Sequence, residues 1–237
     1  MVSTQAEYQY IGRGVYTMAE AGRLTGVPVR TLRRWARGYS YAYRGIERIS
    51  PPIVGTGLDQ RDNDPVLSFR DIMEARLLAA FRRYGVSWRV IRRVAEKVHV
   101  ALRHTHPFAT RVFRTDGRTI LLELISGDET DRRLVDLVRD QYEWEKVVTA
   151  YLVTEKVDFS DSDEPIRWWP LGAERQVVVD PTRAFGAPIV SNEGVQTYLL
   201  AKAVAVEGDS GFVATWYGVE PDAVQDAIDF EKGLRAA

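Results

Sequence analysis

Leu24–Tyr39 reads LTGVPVRTLRRWARGY and packs four arginines and a tryptophan into sixteen residues. Just upstream, Val15–Leu24 (VYTMAEAGRL) sets Met18, Ala21 and Leu24 on one helical face, with Thr17 placed to cap the start. Thr25-Gly26-Val27 interrupts that period with the residue best suited to end a helix. Pro28 then fits the first turn of a second helix, whose Leu32, Trp35 and Ala36 recur at three-to-four spacing and face inward. The same spacing turns Arg30, Thr31, Arg33, Arg34 and Arg37 outward. Two short helices joined by a Gly-containing turn, the second with an arginine-rich outer face, predict a helix-turn-helix unit.

The formal net charge of the 237 residues is only -1, but the charge is unevenly placed. Residues 1–114 hold 20 Lys+Arg against 9 Asp+Glu, whereas residues 115–237 hold 12 against 24, so the halves carry +11 and -12. Lys97 is the only lysine of the front half. Arginine's planar fork suits bidentate contact with phosphate or guanine, so a polyanion-binding half is joined to a half with another task. The chain has no cysteine, which excludes disulfides and thiolate metal sites and suits a reducing cytoplasm. No run approaches the roughly 20 apolar residues of a membrane span, and the opening MVSTQAEYQYIGRG lacks the apolar core of a secretory leader. A soluble cytoplasmic chain with no membrane association is expected.

From Gly38 to Ser68 the chain is rich in Tyr, Gly, Pro and Asp, with strand-like pieces at Ile46–Ile53 and Val66–Ser68, and reads as an irregular or winged segment. Phe69–Tyr84 returns to helical period through Ile72, Ala75, Leu78 and Ala79. Gly85 ends it, and Ser87 opens another helix reaching Leu102, with Val90, Ile91, Val94 and Val98 inward. Arg82, Arg83, Arg89, Arg92 and Arg93 fall on the outer faces. Phe108–Thr115 and Arg118–Leu124 alternate apolar and polar residues around Asp116-Gly117, which predicts a β-hairpin. Asp131–Thr154 fits a helix through Leu134, Leu137, Val138 and Tyr142, or a strand over Val147–Val153, and its type stays open.

Asp158–Pro165 (DFSDSDEP) reads as a solvated acidic linker, Gln176–Asp180 as a short strand and Pro181–Asn192 as a loop. Val195–Val206, Ser210–Tyr217 and Asp222–Leu234 read as helices. The expected architecture is mainly α with a small β component. It comprises a DNA-binding domain over residues 1–107, a hairpin-containing connector over 108–165 and an acidic small three-helix domain over 166–237.

Thr17–Trp35 (TMAEAGRLTGVPVRTLRRW) and Leu67–Val94 (LSFRDIMEARLLAAFRRYGVSWRVIRRV) resemble the winged helix-turn-helix domain of the MerR family of regulators. That resemblance implies a second helix in the major groove and a wing on the backbone, with contacts from Arg30, Thr31, Arg33, Arg34 and Arg37 and from Tyr39, Tyr43 and Arg44 of the wing. Val178–Leu234 resembles the small helical domain of VapB-type antitoxins at Asp180-Pro181, Phe185-Gly186-Ala187-Pro188 and Trp216-Tyr217-Gly218-Val219. The combination resembles antitoxins of VapBC modules. It implies a chain that binds and silences a PIN-domain ribonuclease toxin and represses its own operon, as a homodimer on palindromic operator DNA.

A ribonuclease carries a basic groove, which an acidic partner surface complements. Trp168, Trp169, Phe185 and Tyr217 are the candidate aromatic anchors for that partner, and Trp216 is a candidate for either anchor or core. The alternative is a MerR-type ligand-responsive regulator sensing a small molecule with its back half. His99, His104 and His106 lie close in sequence but lack a cysteine or a nearby acidic run to complete a metal set. DFSDSDEP lacks the glycine and terminal glutamate of an EF-hand loop, and neither Gly12-Arg13-Gly14 nor Gly55-Thr56-Gly57 continues into a phosphate loop. No catalytic residue, metal or cofactor is therefore expected.

Overall fold

A computed structural model describes residues 11–55, 58, 65–113, 117, 121 and 156–236. Helix α1 (Met18–Thr25) starts at a capping box in which Thr17 Oγ1 accepts the Glu20 N–H at 3.3 Å and the Glu20 carboxylate accepts the Thr17 N–H at 2.8 Å. Gly26, with φ 65°, closes it, and α2 (Val29–Arg37) begins directly behind Pro28. At the far end of α2, Gly38 has φ 73°, and a Cβ there would run into the Ser50 carbonyl. Only glycine lets the chain pass straight from α2 into β1 (Tyr39–Tyr43).

β1 pairs antiparallel with β2 (Ile46–Ser50) across Arg44-Gly45, whose φ values of 53° and 78° make the two-residue turn that matches strand twist. This hairpin is a wing. The excursion is closed by a bridge between Tyr16 and Leu67, two N–H···O bonds of 2.9 Å that bring the start of α1 to the start of α3.

Helix α3 (Phe69–Arg83) is capped by Ser68 and buried on nearly every side, enclosing Ile72 and Leu78 but also Asp71 and Glu74. Helix α4 (Trp88–Leu102) turns Val90, Ile91, Val94 and Val98 inward, as its periodicity predicts. The expected β-hairpin over Phe108–Leu124 is corrected where the chain is described. Pro107–Ala109 is a 3-10 turn, and residues 111–113, 117 and 121 are helical. Phe113, Gly117 and Leu121 stand four residues apart and are all buried, and Phe113 packs edge-on against Phe108 at 4.8 Å. The alternating pattern also contained this four-residue period, and packing against α3 and α4 favours it over the hairpin. The ring of Phe113 comes within 3.0 Å of where a Cβ at 117 would stand, so glycine here serves close packing and not a turn. Asp131–Thr154 lies outside the described residues.

A four-stranded antiparallel sheet follows in simple order, β3 (Lys156–Phe159), β4 (Pro165–Trp169), β5 (Val177–Val179) and β6 (Pro188–Val190). The DFSDSDEP run is no linker, since its ends lie in β3 and β4 and residues 160–164 connect them, and the stretch read as a loop contains β6. Each valine of β5 is buried, so both faces of this central strand are covered. The chain ends with α5 (Thr197–Glu207), α6 (Ser210–Tyr217) and α7 (Pro221–Ala236).

One apolar cluster joins Leu32, Trp35, Ile72 and Leu78 to Trp168, Val177, Val179 and Phe230, so the core runs from the helix-turn-helix into the sheet and α7. A second cluster, including Val190, Leu200, Val213 and Val224, lies among the last three helices. Among the described residues no helix is long and apolar enough to cross a membrane.

Candidate nucleic-acid interface

Leu32, Trp35 and Ala36 anchor α2, and Trp35 stacks on Trp88 of α4 with centroids 4.9 Å apart and planes 5° from parallel. This leaves Arg30, Arg33, Arg34 and Arg37 exposed on the outer face, with Thr31 half-buried beside them. The Arg34 guanidinium lies 3.9 Å above the Tyr39 ring, which ties the first wing strand to α2. The return path from the wing is tied to the same helix, since the Trp35 carbonyl accepts the Ile53 N–H at 2.8 Å and the Val54 N–H at 3.2 Å.

Arg44 is exposed at the wing tip, and Tyr43 pairs with Ile46 in the strand register. The wing also presents residues that sequence reasoning passed over. Tyr41, Ile46 and Ile49 are 43%, 61% and 79% exposed, and Arg48 is exposed beside them. The signal was present in YSYAYRGIERIS, where tyrosines alternate up to a turn-forming Arg-Gly.

Not every outward arginine is available to a polyanion. Arg83 Nη2 donates to the Thr25 carbonyl at 3.4 Å, Arg82 Nη1 to the Val86 carbonyl at 2.7 Å, and Arg92 Nη1 to the Pro51 carbonyl. Arg92 is half-buried above the Trp88 ring, a correction to its expected outer position. Arg76 Nη1 donates to the Leu24 carbonyl at 2.6 Å while its guanidinium rests 3.9 Å from the Trp168 ring. The turn between α1 and α2 is thus held by side chains of α3.

Behind the interface sits a buried polar cluster. Asp71 Oδ1 accepts the Gly55 N–H at 3.0 Å and lies 2.7 Å from His106 Nε2, while Asp71 Oδ2 accepts from the Ser68 N–H and hydroxyl. Burial opposes the Asp71 charge, but hydrogen bonding and charge from His106, with the Ser68 bonds, hold its carboxyl below the usual range. Glu74 is pushed well above that range by burial and then by the charge of Asp71, against the Phe108 N–H. His104 lies 2.7 Å from Glu164, so these two histidines have carboxylate partners, and no metal-binding group of His, Asp and Glu occurs among the described residues.

The aromatic candidates of the back half separate sharply. Trp168 is 1% exposed and fills the core under Arg76, which removes it from any docking surface. Trp169 is half-buried and donates its Nε1 to Asp158 at 2.9 Å. Phe185 is 76% exposed in a left-handed conformation with φ 54°, and Tyr217 is exposed at the end of α6. Trp216 is 67% exposed and belongs to the surface, where Phe212 meets it edge-on at 5.5 Å. Tyr198, Leu199 and Val206 add exposed apolar area on α5.

Part of the acidic surplus is spent internally. Glu231 bonds Arg23 of α1 at 2.6 Å and Thr197 at 2.7 Å, Arg175 pairs with Asp226 and Asp229, and Arg167 pairs with Asp180 at 2.9 Å. Glu207, Glu220 and Asp222 remain exposed beside the ends of α6.

An arginine-faced α2 followed by an exposed wing defines a helix-turn-helix DNA-binding protein, and a family model described as "Putative DNA-binding HTH domain" matches residues 14–95. Similarity extends well past that domain. "Putative antitoxin VapB45" of Mycobacterium tuberculosis is 30% identical over 227 residues, spanning 91% of this chain and 92% of the relative. The chain belongs to the family of VapB-type antitoxins. "Uncharacterized protein Rv2308" of the same organism is 26% identical over 96% of this chain and 94% of its own length. The X-ray crystal structure of Rv2018 from Mycobacterium tuberculosis superposes with a TM-score of 0.67 at 27% identity, covering 90% of this chain and 96% of that one.

Proposed function

We propose that this antitoxin-family chain represses its own operon and neutralises a PIN-domain ribonuclease toxin, using separate surfaces for the two tasks. A homodimer lays α2 of each copy into successive major grooves, with Arg30, Thr31, Arg33, Arg34 and Arg37 on bases and phosphates. Tyr39, Tyr43 and Arg44 of the wing take the neighbouring backbone, in the manner of MerR regulators. The toxin docks on the aromatic face of α6, with Phe212, Trp216 and Tyr217 as anchors and Phe185 and Trp169 contributing from the sheet side. Glu207, Glu220 and Asp222 complement its basic groove.

The observation that carries this reading is the division of exposed groups: cations on α2 and the wing, aromatics with nearby carboxylates on α6. Co-expression with a PIN-domain ribonuclease toxin tests the assignment. Phe212→Ser with Trp216→Ser should lose at least about 2 kcal/mol of toxin affinity, the scale of an aromatic hot spot, and leave operator binding intact. Arg33→Ala with Arg34→Ala should do the reverse. Full neutralisation by the α6 variant would overturn the toxin assignment.

A further inference from the structure

Between the segment that leaves the wing, Pro51–Gly55, and helix α4 lies a cleft of about 630 Å³. Pro52 and Ile53 line one side, Arg92, Ala95 and His99 of α4 the other, and Glu74 of α3 contributes to the lining. Its size lies in the range of small-molecule sites, and its lining is largely apolar with a few polar groups, the usual composition of a pocket for a small organic molecule.

Those polar groups are unusual. Arg92 Nη1 donates to the Pro51 carbonyl, which fixes the guanidinium plane beside Trp88. Arg92 Nε and Nη2, and His99 Nδ1, are shielded from solvent and have no hydrogen-bond partner among the described residues. Buried polar groups are nearly always satisfied, so three such atoms on two residues of one cleft call for an explanation. Nε and Nη2 form one edge of the guanidinium, with the spacing that takes both oxygens of a carboxylate. Arg103 and His104 also line the cleft, against Glu96 at its exposed side. Burial disfavours the charged form of Glu74 and so lessens its repulsion of an anion. Burial, then His106 and His104, keep His99 uncharged, so one guanidinium edge beside a neutral imidazole matches a singly charged ligand better than a phosphate dianion.

We propose that this cleft binds a small organic carboxylate with an apolar body, the body lying against Pro52, Ile53 and Ala95 and the carboxylate displacing the packing that covers the Nε and Nη2 edge of Arg92 to pair with it. The site is separate from the α6 surface and does not depend on toxin binding. It adjoins the link between the wing and α2, because Ile53 and Val54 are the residues whose N–H groups hold the Trp35 carbonyl.

The test titrates the full chain with benzoate and hexanoate, and with benzamide and hexanamide as uncharged counterparts, following ligand-induced thermal shift and the His99 ring resonances. At least one carboxylate should saturate with an apparent Kd near or below about 1 mM and bind roughly 10-fold more tightly than its amide. Arg92→Lys keeps the charge but lacks the two-donor edge and should weaken binding about 10-fold or more. Val100→Glu guards against a folding artefact, since Val100 is 77% exposed in the cleft lining and a carboxylate there should repel the ligand without disturbing the core. Failure of both acids to saturate by about 10 mM, equal binding of acid and amide, or unchanged binding in Val100→Glu would each overturn the proposal.

Discussion

Replacing Glu74 with glutamine should stabilise the protein at neutral and alkaline pH, by an amount that grows as the pH rises. Glu74 is 1% exposed, accepts the Phe108 N–H at 3.4 Å and lies one helical turn from Asp71. Burial and then the Asp71 charge raise its carboxyl well above the ordinary value, so the folded chain keeps a proton that the unfolded chain releases near pH 4.3, about the usual glutamate pKa. The stability linked to that proton is fully present below the unfolded value and is lost as pH rises toward the folded one. Within that window the limiting slope for one proton is about 1.36 kcal/mol per pH unit.

Asp71 works in the opposite direction, because its lowered carboxyl contributes stability above the ordinary aspartate range and loses it as pH falls. Measurements from about pH 5 upward avoid that second transition. Glutamine has nearly the same shape, keeps an acceptor for Phe108 and never ionises. Urea unfolding at a series of pH values, with unchanged m, should therefore show the Glu74→Gln curve diverging upward from the parent by roughly 1 kcal/mol per unit within the window. Parallel curves, or a variant less stable by a constant amount, would refute the reasoning by showing Glu74 to be ionised and paired in the folded protein.

Other consequences are equally direct. If Arg33 and Arg34 each neutralise a phosphate, removing either should reduce the slope of log affinity against log salt by about 0.9, measurable by titrating operator DNA between low and moderate salt. Trp168→Ala should cost about 3–5 kcal/mol in urea unfolding, because the ring is enclosed in the core; a loss under about 1 kcal/mol would place it outside that core. Gly38→Ala should cost about 1–3 kcal/mol or more and weaken DNA binding, since φ 73° is strained for alanine and its Cβ meets the Ser50 carbonyl that registers the wing.

The helix-turn-helix was legible because its determinants are local. Thr17 and Glu20 stand at capping-box spacing, Gly26 marks the stop, and Leu32, Trp35 and Ala36 repeat with the helix period. The exposed arginines of α2 followed from the same period. What was misread depends on distant partners. Nothing local distinguishes Trp168 from Trp169, yet Arg76 covers the first and Asp158 receives the second. Trp216, left open between anchor and core, stands at the surface because the inner face of its short helix is supplied by Val213 and Ala214. Arg92 shares a helix face with surface arginines until the wing's return segment places the Pro51 carbonyl beside it. The Asp116-Gly117 signal failed for a related reason, because the buried positions Phe113, Gly117 and Leu121 satisfy a helical period that period-two alternation conceals.

The opposed charges of the two halves are therefore only partly a division of labour. Arg23–Glu231 and Arg70–Glu164 pair a cation of the front half with a carboxylate of the back half. The Tyr16 hydroxyl donates to the Gly186 carbonyl at 2.8 Å, and Arg76 spans from the Leu24 carbonyl to the Trp168 ring. Separating the halves would break these bonds and uncover Trp168, Val177 and Phe230 together, exposing core residues that each bury roughly 1.5–3 kcal/mol of transfer free energy. The exposed charges do not bear that burden. Arg30, Arg33, Arg34 and Arg37 on one side and Glu207, Glu220 and Asp222 on the other are exposed and take no part in these bonds between the halves, so a partner can cover either surface without opening the joint.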